Sequence, residues 1–175
     1  MSMTQHLDYL FADKVRKDHA DVDADEVLSG FKEFLLVFYG AAWSTKSMQV
    51  AQAISSYLAE FNPDDDHSAP AAEVLYVSND TDKREFKDFY SSMVDETSWC
   101  TLKWDDPMIA NVKDEFRLEA LPKVIVLDRN MRMVTEEGAD DLLSMEPQLC
   151  RTYWIGLLQR QLREHAERRN SSIDE

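Results

Sequence analysis

The chain has 175 residues, of which 34 are acidic, 19 are basic and two are cysteine, and its formal net charge is −15. This length, with an apolar content of 44%, suffices for one domain with a sizeable core, so neither disulfides nor structural metal ions are needed. The acidic balance argues against nucleic acid or an anionic membrane surface as a partner, because phosphate groups are bound by an excess of Lys and Arg.

The amino-terminal segment lacks the basic and apolar regions of a secretion signal, and the longest apolar run is too short to cross a bilayer. We therefore expect a soluble, cytoplasmic protein that does not bind membranes. In that reducing compartment Cys100 and Cys150 are expected to be free, buried thiols. The four histidines show no ligand spacing and no glycine-rich phosphate loop is present, so we expect neither a metal ion nor a cofactor.

Strands and helices alternate along the chain, which predicts an α/β fold. A first helix is predicted over residues 7–17 and an acidic turn over residues 21–26. Apolar runs predict strands over residues 33–40, 73–78, 123–127 and 131–135. Apolar residues at helical spacing predict helices over residues 47–61, 82–93 and 106–116.

The last part of the chain has a pattern of its own. A single apolar stripe at helical spacing runs along residues 147–169 and contains Cys150, Tyr153, Trp154, Leu157, Leu158 and Leu162. We therefore divide the chain into a domain over residues 1–146 and an amphipathic helix with a short tail over residues 147–175. The stripe either packs back onto the domain, which is the simpler interpretation, or binds a partner, which includes a second copy of this chain.

One segment carries the functional interpretation. A buried strand is followed by Gly40, then by Trp43-Ser44-Thr45-Lys46-Ser47 and a helix, and some eighty residues later Leu121-Pro122 leads into another buried strand. This order resembles the thioredoxin superfamily. The Ala-x-Trp step and the runs over residues 73–80 and 116–122 resemble its tryparedoxin and nucleoredoxin branch. The resemblance covers residues 7–146 and implies a mixed sheet of four or five strands flanked by helices.

The resemblance also identifies the positions where the family's chemistry takes place. Members of this branch exchange thiols and disulfides through a Trp-Cys-x-x-Cys motif, and Ser44 and Ser47 stand here at the two cysteine positions. A helix amino terminus lowers the pKa of a thiol into the useful range, but an alcohol is too weak an acid and has no disulfide to exchange with. Cys100 and Cys150 are too far apart in sequence to replace the dithiol. We therefore expect no catalytic residue.

Three interpretations of the two serines remain open. Ser44 is a good helix N-cap, which requires no role beyond folding. Alternatively, the chain is a double Cys-to-Ser variant of a thiol-disulfide oxidoreductase, although working members of the branch usually carry Pro where Thr45 and Lys46 stand. Finally, the turn formed by residues 44–47 holds a phosphate at a helix amino terminus, with Lys46 as its single basic residue.

The resemblance assigns a second element to the same site. It implies a cis peptide bond at Leu121-Pro122, facing the motif, and a Leu121 backbone that pairs with an extended substrate chain. Trp43, Thr45, Lys46, Leu121 and Pro122 would then form a peptide groove. We predict a redox-inactive protein connected with cell redox homeostasis that binds another protein or an extended peptide in this groove.

Overall fold

The computed structural model describes residues 14–17, 20–65, 67–94 and 97–173. Within those ranges the strands are β1 (Lys14–Lys17), β2 (Ala20–Asp23), β3 (Phe34–Gly40), β4 (Ala72–Ser78), β5 (Cys100–Thr101), β6 (Lys123–Leu127) and β7 (Met133–Thr135). The helices are α1 (Ala24–Ser29), α2 (Thr45–Phe61), α3 (Lys83–Val94), α4 (Met108–Glu115), α5 (Gly138–Ser144) and α6 (Pro147–Ser171). The predicted succession of strands and helices is confirmed from β3 onwards, and the structure has two further elements there, β5 and α5, that were not predicted.

The strands form one mixed sheet in the order β2-β1-β5-β4-β3-β6-β7. β3 lies near its centre, parallel to β4 and antiparallel to β6, and all seven of its residues are buried. A strand covered on both faces needs apolar side chains on both, which explains the uninterrupted apolar run. The mixed sheet flanked by helices is confirmed. The predicted number of four or five strands is wrong, because the short strands β1, β2 and β5 extend the sheet to seven.

The amino-terminal prediction also needs correction. Residues 14–17 form strand β1 and not the end of a helix, while residues 7–13 of the predicted helix lie outside the described residues. β1 pairs with β5, which lies more than eighty residues away in the sequence. Val15, a residue of β1, is buried. The acidic segment predicted as a turn forms β2 and the start of α1, where Asp23 accepts a hydrogen bond from the backbone N–H of Asp25.

Helices cover both faces of the sheet and create two apolar cores. Leu36 and Phe38 belong to one core and Leu35 and Val37 to the other, as expected for a strand whose side chains alternate between faces. Cys150 lies in the first core and Cys100 in the second. Both thiols are free and fully buried, as predicted, and the sheet separates them.

A buried ion pair attaches β1, which lies between β2 and β5, to the body of the sheet. Lys17 Nζ donates to Glu73 Oε2 at 2.6 Å, and the Glu73 side chain is almost completely buried. Burial raises the pKa of the Glu73 carboxyl, and the Lys17 ammonium opposes that shift. Loss of either partner would leave a poorly solvated charge, so this contact fixes β1 in place.

The terminal helix α6 packs against the domain mainly with its first half, and beyond it Gln161 Nε2 donates to the carbonyl of Val134 at 3.0 Å. Trp154 is fully buried, its ring centroid lies 5.7 Å from that of Phe34, and its Nε1 donates to Asp141 Oδ2 at 2.9 Å. Residues 159–173 are all exposed. The predicted partner surface, formed by Tyr153, Trp154, Leu157 and Leu158, is therefore wrong for Trp154, which lies in this chain's own core. Leu157 and Leu158 are half-buried, and Tyr153 is exposed. Helix-mediated self-association stays a prediction.

The terminal helix α6 is long and carries many charged side chains. α6 has 25 residues, about 38 Å at 1.5 Å per residue, and its exposed half carries several arginines. Throughout the described ranges, no helix combines the length and the apolar content that crossing a membrane requires.

Replacement of Trp154 by Ala should lower the free energy of unfolding by about 3–5 kcal/mol, because it removes a large buried ring and leaves a cavity. Leu149, on the same helix, is 59% exposed, and its replacement by Ala should change stability by less than about 0.5 kcal/mol. Urea unfolding of the two variants and the unchanged chain measures the difference. Equal, small effects would contradict the packing of α6 onto the core.

Candidate functional site

The candidate site lies where β3 ends and α2 begins, at the carboxyl end of the central strand. Gly40 is the last residue of β3, and its carbonyl accepts from the backbone N–H of Asn79, which follows β4. A Cβ at position 40 would lie only 2.9 Å from the Phe38 ring. Glycine therefore lets the chain turn tightly here into the loop that precedes α2.

Ser44 is the N-cap of α2, as the simplest interpretation predicted. Its backbone is extended, and its Oγ accepts a hydrogen bond from the N–H of Ser47 at 3.1 Å. Its carbonyl accepts from the N–H of Met48, which is the first helical bond. The hydroxyl thus satisfies one of the N–H groups that a helix leaves unpaired at its amino terminus.

Ser47 has a different role, because its side chain is fully buried. Its Oγ accepts from the backbone N–H of Ala41 at 3.3 Å, which links the first turn of α2 back to the end of β3. An alcohol becomes a nucleophile only beside a general base. Of the described histidines, His67 lies in the loop before β4 and His165 on the exposed half of α6, while both serine hydroxyls accept from backbone N–H groups.

Asp80 completes the loop, a role that was not among the predictions. Its carboxylate is buried, with Oδ1 accepting from the N–H of Ala42 at 2.9 Å and Oδ2 from the hydroxyl of Ser78 at 2.8 Å. The residue follows β4, the neighbour of β3, so only the sheet topology brings it to the loop. A signal existed in the Asn-Asp pair directly after a buried strand, where side chains of adjacent parallel strands meet.

The remaining residues of the loop face solvent. Trp43 is 61% exposed, although tryptophan is a residue that proteins usually cover. Thr45 and Lys46 are exposed as well, and Lys46 Nζ lies 3.8 Å from Asp140 Oδ1. Asp140 lies in the first turn of α5.

Leu121 and Pro122 lie at the same edge of the sheet. The peptide bond between them is cis, as predicted. Lys123 pairs with Tyr39, so the register places Pro122 beside the end of β3 and the loop that carries Trp43. Both Leu121 and Pro122 are half-buried. The structure thus brings the five predicted groove residues to one edge, with Trp43 as the most exposed of them.

The predicted phosphate at residues 44–47 stays a prediction, and the geometry weakens its basis. One N–H group that would bind the anion, that of Ser47, already donates to Ser44. The one basic side chain of the turn, that of Lys46, faces the carboxylate of Asp140. Among the described residues, no cluster of side chains is suited to a metal ion.

The two cysteines cannot supply the missing sulfur chemistry in this fold. Neither is at the loop, since Cys100 lies in β5 and Cys150 in α6. Burial, with a smaller contribution from Asp141, raises the pKa of the Cys150 thiol to about 12. A thiol with such a pKa is almost entirely protonated at neutral pH and is a poor nucleophile.

The fold and this loop geometry have known relatives. A family model described as Thioredoxin-like matches residues 32–133, more than half of the chain. The chain belongs to the thioredoxin-like family. The match runs from β3 to the start of β7, and so includes the loop, α2 and the cis proline of this thioredoxin-like domain.

Individual relatives place it in a branch of that family. The chain is 25% identical over 124 residues to probable nucleoredoxin 1 of Arabidopsis thaliana, covering 71% of this chain and 20% of the plant protein. It is 23% identical over 128 residues to nucleoredoxin-like protein 1 of Homo sapiens, covering 72% and 59% of the two proteins. Tryparedoxin I of Leishmania major has a TM-score of 0.63 at 19% identity, over 81% of this chain and 90% of that one.

These relatives establish a thioredoxin-like chain of the tryparedoxin- and nucleoredoxin-like branch. The chain spans only 20% and 59% of the lengths of the two nucleoredoxin relatives, and the structural likeness establishes the fold alone. What this loop does is therefore argued below from its own residues.

Replacement of Ser44 by Ala should lower the free energy of unfolding by about 1 kcal/mol, because the N–H of Ser47 loses its acceptor. Replacement by Asp, which is also a good N-cap, should retain most of the stability. Ser56 is an exposed serine within the same helix, and its replacement by Ala is the matched control, with an effect below about 0.5 kcal/mol. A loss for S44D as large as for S44A, measured by urea unfolding, would refute the capping role.

Proposed function

We propose that this chain is a redox-inactive, thioredoxin-like protein of the cytoplasm that binds an extended segment of another protein. The binding site would be the edge formed by Trp43, Thr45, Lys46, Leu121 and Pro122. Two features together carry the proposal. The hydroxyls of the two serines accept hydrogen bonds from backbone N–H groups, and the tryptophan beside them is 61% exposed.

The loss of redox chemistry follows from what the hydroxyls do. Ser44 and Ser47 stand, by the resemblance, at the dithiol positions, and each accepts a hydrogen bond from a backbone N–H of the loop or helix. Oxygen is a stronger acceptor than sulfur, so the serines are better suited to holding the turn than cysteines would be. The same residues lack the thiolate that attacks a disulfide.

The peptide-binding role has support from a backbone group and a side chain. Among the described residues, neither the N–H nor the C=O of Leu121 has a hydrogen-bond partner, which leaves them for solvent or for an added extended chain. Trp43 offers a large apolar ring beside this backbone, and aromatic anchors of this kind supply much of the affinity at binding sites. Thr45 and Lys46 would make the polar contacts.

The natural chain should not reduce insulin above the rate of dithiothreitol alone, because it has no accessible thiol. Restoring both cysteines in S44C/S47C should create measurable turnover, since the helix amino terminus that activates a thiol is intact. A thiol probe should label this variant faster than it labels Cys100 or Cys150, both of which are buried.

Insulin reduction by the natural chain would overturn the redox-inactive assignment. Cysteine codons at positions 44 and 47 of the native gene would favour the other interpretation, a double Cys-to-Ser variant of an oxidoreductase. An inactive S44C/S47C variant that still folds would indicate that the site has been remodelled beyond its two sulfurs.

Extended peptides selected from a displayed library against the natural chain should bind at the Trp43 edge. Replacement of Trp43 by Ala should weaken the selected peptides at least tenfold, about 1.4 kcal/mol, because it removes the exposed anchor. Leu149→Ala, at an exposed apolar residue of α6, should leave the affinity unchanged. Equal affinity for the W43A variant, or NMR shifts confined to residues away from 43–46 and 121–122, would refute this site.

A further inference from the structure

Apart from the Trp43 site, a concave site lies between α3 and the strands β1 and β5. Its volume is about 370 Å³, at the small end of the range for small-molecule sites. Four of its nine lining residues are cationic, namely Arg16, Lys83, Lys87 and Lys103, and none of the nine is acidic. Lys and Arg make up 19 of 175 residues, so about one would be expected among nine. We call this feature the cationic cavity.

Two of the four cations of the cavity share a carboxylate partner. Asp21 interacts with two of them, at 3.0 Å from Lys103 Nζ and at 3.8 Å from Arg16 Nε. All three side chains are 44% exposed, so these pairs are screened by water and hold the cations only weakly. Lys83 and Lys87 make no ion pair with the described residues.

The walls of the cavity offer ring surface but few polar atoms. Phe86 and Tyr90 stack with their planes 9° apart. The Tyr90 hydroxyl donates to the carbonyl of Trp99 at 2.7 Å, and the Trp104 Nε1 donates to the carbonyl of Asp80 at 3.3 Å. These hydrogen bonds direct the polar atoms of the rings into the protein. A ligand therefore meets aromatic carbon in the cavity and positive charge around it.

We propose that the cationic cavity binds a small phosphorylated ligand that carries an aromatic ring, the chemistry of a nucleotide. Several cations converge on one space, as a polyanionic phosphate group requires. The half-buried Trp104 would contact the ring of the ligand, an interaction open to any flat aromatic group.

The overall charge of the protein sets a condition on this binding. A net charge of −15 repels anions at long range, but salt screens that repulsion beyond about 8 Å at physiological ionic strength. Direct contact with several cations then decides the affinity. Binding should weaken as salt rises further, because the contacts themselves are ionic and partly exposed.

The test uses calorimetric titration of the natural chain with ADP and with inorganic pyrophosphate at fixed ionic strength. We expect ADP to bind at one saturable site, and pyrophosphate to bind there more weakly. Replacement of Lys87 by Gln should weaken ADP at least fivefold. Lys32, an exposed lysine outside the cavity, provides the matched control, and K32Q should change the affinity by less than twofold.

Two further variants separate the charge from the ring. Asp21→Asn should tighten binding at least twofold, because it removes the carboxylate that competes for Arg16 and Lys103. Trp104→Leu should weaken ADP but leave pyrophosphate unchanged, with retained folding checked by urea unfolding.

Several results would overturn the proposal. Absence of saturable ADP binding would do so, as would equal losses in K87Q and K32Q, which would indicate unspecific attraction. Weaker binding by D21N would show that the cations are not the ligands of the phosphate. If W104L lost affinity for ADP and for pyrophosphate equally, Trp104 would not contact the ring of the ligand. If the cavity bound acidic peptides but not ADP, its ligand would be a protein partner instead.

Discussion

The loop between β3 and α2 is held by oxygen atoms that accept its backbone N–H groups, and the candidate site depends on this constraint. Ser47 accepts from Ala41, Asp80 accepts from Ala42, and Ser44 accepts from Ser47. Each bond satisfies a donor that a tight turn at a sheet edge would otherwise leave unpaired. The two serines thus hold the turn through their hydroxyl oxygens. Trp43 lies in the same loop and stays exposed to solvent.

The parts of the fold that could be predicted are those whose signal is local. β3, β4 and β6 are buried on both faces and appear as unbroken apolar runs, and α2 has a long apolar face. β1 and β5 have four and two residues, too few for any period, and their structure comes from pairing with distant strands. α5 is not among the predicted helices, because its two adjacent aspartates, Asp140 and Asp141, are typical of a solvated loop. In the structure Asp141 accepts a hydrogen bond from the indole of Trp154.

The site could be predicted only where a single stretch of chain forms it. Ser44, Ser47 and Trp43 are neighbours in sequence, and the cis bond at Pro122 followed from the resemblance. Asp80 reaches the loop from another strand, which no local pattern reveals. The cationic cavity takes its charges from β1, α3 and the segment after β5, so only the assembled sheet brings them together. The net charge of the chain does not reveal this cavity either, because a sum over all residues says nothing about where the charges lie.

One residue, Asp80, forms hydrogen bonds with both proposed sites, and this determines how the sites can be tested. The carbonyl of Asp80 accepts from Trp104, a wall of the cationic cavity, while its carboxylate accepts from the N–H of Ala42 in the peptide-binding loop. A substitution at Asp80 would therefore disturb both sites at once and could not distinguish them. Trp43 and Lys87 are exposed, and neither takes part in the hydrogen bonds of Asp80. Their replacements leave the Asp80 hydrogen bonds in place, so a loss of peptide or of ADP binding can be assigned to one site.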